Sequence, residues 1–319
     1  MADSGEAIGV DAGGTKILAV RVARDGAILG RAEAETPAED EEATLAAMVR
    51  ATSDLLTPAV LAVGVGAAGM VDVAEGILRF APNLAWRNLP IAGRMHAALG
   101  LPVQLDNDAN AAAYAEYRFG AGRGYRELLL VTVGTGIGGG IVNDGRLVRG
   151  ANGFAAEVGH VVVQPDGPRC GCGNRGCWEQ MASGAAIGRL GREEARRSPG
   201  SPLARMADGD AEAVSGRVVT EAALGGDEAA RAIVAEAGRW LGIGLAGLAN
   251  VLDPQVIVVG GGAVAAGELL LEPARAAFAE YVEGVEYRPR VPIVAAELGA
   301  DAGAVGAAAL ALEEVGRIP

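Results

Sequence analysis

Cys170, Cys172 and Cys177 are the only cysteines in the 319-residue sequence, and they sit in the run Cys170-Gly171-Cys172-Gly173-Asn174-Arg175-Gly176-Cys177, ten residues after His160. Three thiolates and an imidazole form a closed tetrahedral set that suits Zn2+ and leaves no coordination position for water, so the ion is expected to be structural. An odd count at such tight spacing argues against a disulfide framework. Two carboxylates flank the ligands: Glu157 precedes His160 by three residues and Glu179 follows Cys177 by two. Ordering the metal loop therefore orders two acids.

Glycine-rich turns supply a second chemistry. Asp11-Ala12-Gly13-Gly14-Thr15-Lys16 reads as strand, tight turn and returning strand, a shape that turns consecutive N–H groups toward phosphate oxygens. Asp11 is either a turn residue or a carboxylate placed to hold Mg2+ through water, and Lys16 can add a point charge. Gly134-Thr135-Gly136 offers the same device later in the chain. The spacing Gly134-x-Gly136-x-x-Gly139 matches a dinucleotide fingerprint in form only, because a strand follows where that fingerprint requires a helix. Gly260-Gly261-Gly262, between a strand and a helix, suits close approach to a nucleotide, and no P-loop motif occurs. Asp108, at a strand-to-helix junction, is either a helix cap or a general base that takes a hydroxyl proton during phosphoryl transfer. Asn107, Glu157 and Glu179 would complete a pocket for several hydroxyls. Asn83 adds a hydroxyl contact or marks a turn, and His96 reads as a surface residue.

These residues need elements to carry them. Ala7–Val10, Lys16–Ala23 and Ala27–Glu35 read as strands of a meander, and Leu128–Val133, Ile137–Val142 and Arg146–Arg149 repeat the pattern. Between them lie helices at Glu41–Leu56, Ile91–Leu99 and Ala109–Phe119, with strands at Val60–Gly66 and Val103–Leu105. After the cysteines the chain is mostly helical to about Gly247, followed by a strand at Val256–Val259, a helix, and an alanine-rich helix at Ala302–Glu314. The expected fold is α/β with two related halves: residues 1–107 plus 300–319 as one domain, 108–299 as the other, and a cleft between them. A formal net charge of −13 opposes a nucleic-acid partner. The N-terminus has no signal-peptide pattern and no stretch approaches ~18 uninterrupted apolar residues, so a cytoplasmic protein without a membrane partner is expected.

Taken together, Asp11–Lys16, Leu105-Asp106-Asn107-Asp108-Ala109-Asn110-Ala111, Gly134–Gly140, Glu157-Val158-Gly159-His160 and the Cys-x-Cys-Gly-x-x-Gly-Cys-x-Glu loop resemble the ROK family of sugar kinases and regulators over nearly the whole chain. The resemblance implies a hexokinase/actin-like ATPase (ribonuclease H-like) fold with Asp108 as catalytic base. It implies sugar contacts from Asn83, Asn107, Asp108, Glu157, His160 and Glu179, and zinc bound by His160 with Cys170, Cys172 and Cys177. ATP phosphates would rest on Asp11, Gly13, Gly14, Thr15, Lys16, Gly134, Thr135 and Gly136, with adenosine near Gly260, Gly261 and Gly262. Ala156 stands where many members have glycine, which resembles the glucokinases of high-GC Gram-positive bacteria. The implied reaction is ATP- and Mg2+-dependent phosphorylation of glucose, in a homodimer or homotetramer. The alternatives are another hexose (N-acetylmannosamine, N-acetylglucosamine, mannose or fructose), polyphosphate as donor, or a sugar-sensing regulator. The last is disfavoured because ten residues before Asp11 cannot hold a helix-turn-helix domain.

Overall fold

A computed structural model describes residues 5–81 and 86–316. The first sheet begins with β1 (Glu6–Ala12), β2 (Lys16–Ala23) and β3 (Ile28–Glu35), and after α1 (Glu41–Ser53) the chain returns as β4 (Val60–Ala67). Three short strands follow, β5 (Met70–Asp72), β6 (Ile77–Phe80) and β7 (Arg87–Leu89), then α2 (Ile91–Leu99), β8 (Val103–Asn107) and α3 (Asp108–Phe119). The pattern resumes with β9 (Leu128–Val133), β10 (Ile137–Asn143) and β11 (Arg146–Leu147). Helices α4 (Glu179–Ala182), α5 (Gly184–Arg197), α6 (Pro202–Arg205), α7 (Gly216–Leu224) and α8 (Glu228–Leu252) lead to β12 (Val256–Gly260). The chain ends with α9 (Glu268–Tyr281), β13 (Ile293–Ala295) and α10 (Ala302–Val315).

Strand order shows the expected duplication: β3-β2-β1-β4-β8 in one sheet and β11-β10-β9-β12-β13 in the other. In the first, β1 is antiparallel to β2 and parallel to β4, which is parallel to β8; in the second, β10 is antiparallel to β11 and β12 parallel to β13. Asp144 and Gly145 both have positive φ, 48° and 74°, the backbone a two-residue hairpin needs to match strand twist. The strand expected at Arg146–Arg149 stops at Leu147, and Arg149 turns inward. The small sheet β5-β6-β7 and the edge strand β13 escape sequence reading, because segments of three or four residues carry too little alternation.

The compact units are Met1–Leu130 with Gly140–Ala156 and Glu297–Pro319, and Val131–Gly139 with Glu157–Ala296. The expected break between 107 and 108 is therefore misplaced. Helix α3 packs with the first unit because Tyr114 joins Ala307 and Leu310 of α10 in one apolar cluster. A Cβ on Gly306 would come within 1.7 Å of the Ala111 carbonyl.

Helix α10 is made almost wholly of small residues, and its buried face runs from Ala302 to Leu312. It lies on the sheet with no side chains between: a Cβ at Gly9 would come within 1.8 Å of Ala304 O, and one at Gly64 within 1.9 Å of Ala307 O. On its other face the sheet packs Ile8, Val10 and Ile17 against Leu45 and Met48 of α1. In the second unit, α8 and α9 also meet at glycines, with Gly238 against Leu270 O and Gly242 against Ala274 O. Although α8 is long and apolar enough to cross a bilayer, it carries a buried stripe from Ala230 to Ala249 and serves as the core helix of its unit.

Gly9→Ala should lower the unfolding midpoint severely, costing more than about 3 kcal/mol, because backbone must move to admit a methyl group. Gly93→Ala, in α2 with nothing within 4 Å, should raise stability by about 0.5–1 kcal/mol. Thermal unfolding of both variants checks the contrast; equal effects would contradict this packing.

Candidate active site

The junction between β8 and α3 concentrates acids. Asn107, not Asp108, is the helix cap: its Oδ1 accepts the N–H groups of Ala109 at 2.9 Å and Asn110 at 3.1 Å. Its Nδ2 donates to Gly69 O at 3.1 Å. Asp108 is thus released from capping and occupies the first helical turn, where Oδ1 accepts the adjacent Ala109 N–H at 2.9 Å. Burial pushes its carboxyl above the usual range, partly offset by the Ala109 and Asp108 N–H groups. Desolvation here outweighs two donors.

Asp11 lies beside it. On β1 it is level with Gly66 of β4, and a Cβ on Gly66 would sit 3.5 Å from Asp108 Cα. From the other side Gly303 of α10 comes so near that a Cβ would be 2.8 Å from Asp11 Oδ2. Burial, then the Asp108 charge, push Asp11 up to about 7, against a smaller lowering by Lys16. The turn beyond it is closed by Gly13 N–H to Lys16 O at 3.1 Å, and Thr36 braces it by donating from Oγ1 to Gly13 O at 2.8 Å. Gly14 and Thr15 form its tip. Lys16 Nζ lies 2.7 Å from Glu33 Oε1 at the surface, so its ammonium already has a partner.

The second unit repeats the turn. Gly134 N–H reaches Gly136 O at 3.0 Å, while Gly184 N–H donates to Gly134 O at 2.8 Å and Ala185 N–H to Thr135 O at 3.2 Å. Ser183 caps α5 there, accepting Ala186 N–H. Glu179 joins this turn to the cysteines: a Cβ on Gly136 would lie 2.6 Å from its Oε2, and the Cys170 thiol donates to its Oε1 at 3.0 Å. His160 Nδ1 lies 3.7 Å from Cys170 Sγ and Cys172 Sγ 3.5 Å from Cys177 Sγ. All four ligand atoms fall within 4.8 Å of one another. Metal–ligand bonds of about 2.0–2.3 Å imply tetrahedron edges of about 3.5–3.8 Å, so this donor set fits a four-coordinate ion. Burial raises the Cys170 and Cys177 thiols, while the Asn174 N–H lowers Cys172. His160 presents Nε2 toward Glu157, 4.0 Å from Oε2.

Glycine is structural around these ligands. A Cβ on Gly176, which has φ of 65°, would fall 1.5 Å from Gln164 O, and one on Gly159 2.1 Å from Ile137 O. Trp178, fully buried, donates Nε1–H to Trp240 O at 2.8 Å and ties the loop to α8. At the end of β12, Gly261 has φ of 85° and presses on Val133 so closely that a Cβ would be 2.6 Å from its carbonyl carbon. Gly262 opens a short 3-10 turn ahead of α9. Ala156 has φ of 68°, which explains why glycine suits the residue before Glu157. Asn83 lies outside the described residues. Two participants carry no motif of their own, Arg149 and Glu116, and Asp106 lies inside the motif Leu105–Ala111 with no role read from the sequence. Glu116 is fully buried and accepts the N–H groups of Ala121, Glu297 and Leu298 at 2.8–3.2 Å.

An acid whose pKa rises from 3.8 unfolded to about 7 folded stabilises the fold fully only below the lower value, and that stability is lost as pH climbs through the upper one. Asp11→Asn should therefore stabilise the metal-free protein at pH 8.5, by on the order of 4 kcal/mol. The gain should fall by about half at pH 5.5. Unfolding of parent and variant in chelator at both pH values tests this; a gain independent of pH would refute it.

Comparison with known proteins identifies relatives over nearly the whole chain. The sequence is 43% identical over 311 residues to a glucokinase of Streptomyces coelicolor, covering 97% of this chain and 98% of that protein. An N-acetylmannosamine kinase of Escherichia coli is 34% identical, with 96% and 98% covered. Among solved structures, a ROK family glucokinase from Streptomyces griseus in complex with glucose and AMPPNP superposes with a TM-score of 0.88 at 45% identity, over 97% of this chain and 100% of that one. With the ROK family profile matching residues 7–314, the chain belongs to the ROK family.

Proposed function

We propose that this protein transfers the γ-phosphoryl group of ATP to the C6 hydroxyl of glucose. The observation that carries the reading is the full-length similarity to a glucokinase solved with glucose and an ATP analogue. Asp108 takes the hydroxyl proton as the new O–P bond forms and the bond to the β-phosphate oxygen breaks. Its release from capping by Asn107 and its raised pKa support that role, since a base works best with a pKa near the operating pH. Asn107, Glu157, His160 and Glu179 hydrogen-bond the sugar hydroxyls, and Asn83 joins them. The turns at Gly13–Thr15 and Gly134–Gly136 hold phosphate oxygens through the N–H groups of Gly14, Thr15, Thr135 and Gly136, with Gly260–Gly262 against the nucleoside.

Asp11 would hold Mg2+ through water; bound there, the ion neutralises charge on the transferring phosphoryl group. His160, Cys170, Cys172 and Cys177 would hold Zn2+, which has no open position and supplies order. Thiolate ligands require reduced cysteines, which supports a cytoplasmic setting. The 34% identity to an N-acetylmannosamine kinase makes a second hexose the competing reading. An ADP-release assay over glucose, mannose, N-acetylmannosamine, N-acetylglucosamine and fructose ranks them by kcat/KM. Highest turnover on a sugar other than glucose would overturn the substrate assignment.

Asp108→Asn should keep the fold and glucose binding while lowering kcat by ~10^2-fold or more. Near-normal turnover would remove Asp108 from the chemistry. Cys172→Ser should release the metal and raise the KM for glucose, because Glu179 and His160 lose their anchor. Metal content by atomic absorption and glucose titration report both effects, and retention of both contradicts the assignment.

A further inference from the structure

Asp106 is 2% exposed, two residues before Asp108, and one of its oxygens serves the start of α3 while the other meets Arg149. Oδ1 accepts the Asn107 N–H at 2.8 Å and the Asn110 Nδ2 at 3.1 Å. Oδ2 accepts from Arg149, from Nε at 2.8 Å and Nη2 at 2.7 Å. Arg149 comes from just beyond β11, the segment that enters Glu157. Its own carbonyl accepts Ala155 N–H at 3.0 Å, closing a turn in which Gly150, Gly153 and Ala156 all have positive φ.

We propose that Arg149 is a positioning residue for phosphoryl transfer, acting through Asp106 to fix the rotation of the first turn of α3. The proposal rests on the reading of Asp108 as base. A buried carboxylate without a cation must either take up a proton or draw in water. Either response weakens its hold on the Asn107 N–H and Asn110, and Asp108 and Asn107 turn with that backbone. Tolerance is narrow, since a misplacement of about 1 Å can cost 10^2-fold in rate. Gly140 limits any compensating movement: it presses on this turn so closely that a Cβ would lie 2.8 Å from Ala109 O. Both Arg149 donors converge on one oxygen, so the contact demands a cation at Oδ2 and makes no use of the two-pronged fit of a guanidinium to a carboxylate. Lysine should therefore serve in part.

The test compares Arg149→Met with Arg149→Lys, which are similar in length and differ in charge. Rates are normalised to the concentration of sites that bind an ATP analogue. Arg149→Met should lower kcat/KM for glucose by about 10^2-fold, through both kcat and KM, with the KM for ATP within about twofold of the parent. Arg149→Lys should recover at least tenfold of the loss. Glucose kinetics within threefold of the parent in Arg149→Met, or equal deficits in the two variants, would overturn the proposal. Should Arg149→Met fail to fold, Asp106→Asn removes the charge but keeps the shape and should show the same split, glucose parameters changed and ATP KM preserved; an unchanged glucose kcat/KM would overturn it. Asp108→Asn separates this from the underlying assignment: normal turnover there refutes the base, whereas a dead Asp108→Asn beside a normal Arg149→Met refutes the positioning role alone.

Discussion

The contact of α10 with bare backbone governs the first unit. Gly9 and Gly64 bring two parallel strands against the carbonyls of Ala304 and Ala307, and Gly306 admits the carbonyl of Ala111 from α3. Four backbone segments thereby meet with no side chain between, nearer than any pair of Cβ-bearing residues permits. The consequence is electrostatic. Gly303, at the start of the same helix, lies against Asp11, and Gly66 lies against Asp108, so close packing removes water from both carboxylates and sets their charges against each other.

Four acids near this contact fall into two groups. Asp106 has Arg149 and two further donors, and Glu116 has three backbone N–H groups; the oxygens of each are occupied by donors. Asp11 and Asp108 are offset only in part, by Lys16 and by the Ala109 and Asp108 N–H groups, and burial raises both. Folding tolerates an incompletely offset acid only where another gain makes up for it, and perturbed carboxyls beside a glycine turn have the character of working groups. Asp106 and Glu116 hold backbone in place, whereas Asp11 and Asp108 keep the perturbed carboxyls on which the proposed function draws.

The halves of this machinery differ in how far the sequence declares them. Asp108, the cysteine loop and both glycine turns are legible because their chemistry is local: spacing along the chain is spacing in the site. The repeated meander is legible for the same reason, since hairpin turns and alternating strands are short-range signals. Arg149 and Glu116 are not, because their partners lie 43 residues away at Asp106 and about 181 away at Glu297, and nothing in an isolated arginine or glutamate announces them. Asp108 reads from the sequence as either a helix cap or a base, and the hydrogen bonds of Asn107 give the cap to its neighbour. The boundary between units also escaped, because it follows the packing of α3 on α10, a contact between distant segments.

The cysteine loop shows what a bound ion would supply there. Between His160 and Trp178 the described chain has no named strand, only two isolated bridges, Val162 with Cys177 and Arg169 with Arg175. Its side chains from Arg169 to Arg175 are exposed apart from Cys170. A segment with so little apolar burial cannot repay the entropy of ordering, yet Glu179 must hold one oxygen near Gly136 and the other near Cys170. Trp178 and Gly244 fix one end against α8. A four-ligand ion would fix the other, where the imidazole turns Nδ1 toward the thiols and Nε2 toward Glu157. Metal bonds there would do the work that a hydrophobic core does under α10, and the carboxylates at either end of the loop would inherit that rigidity.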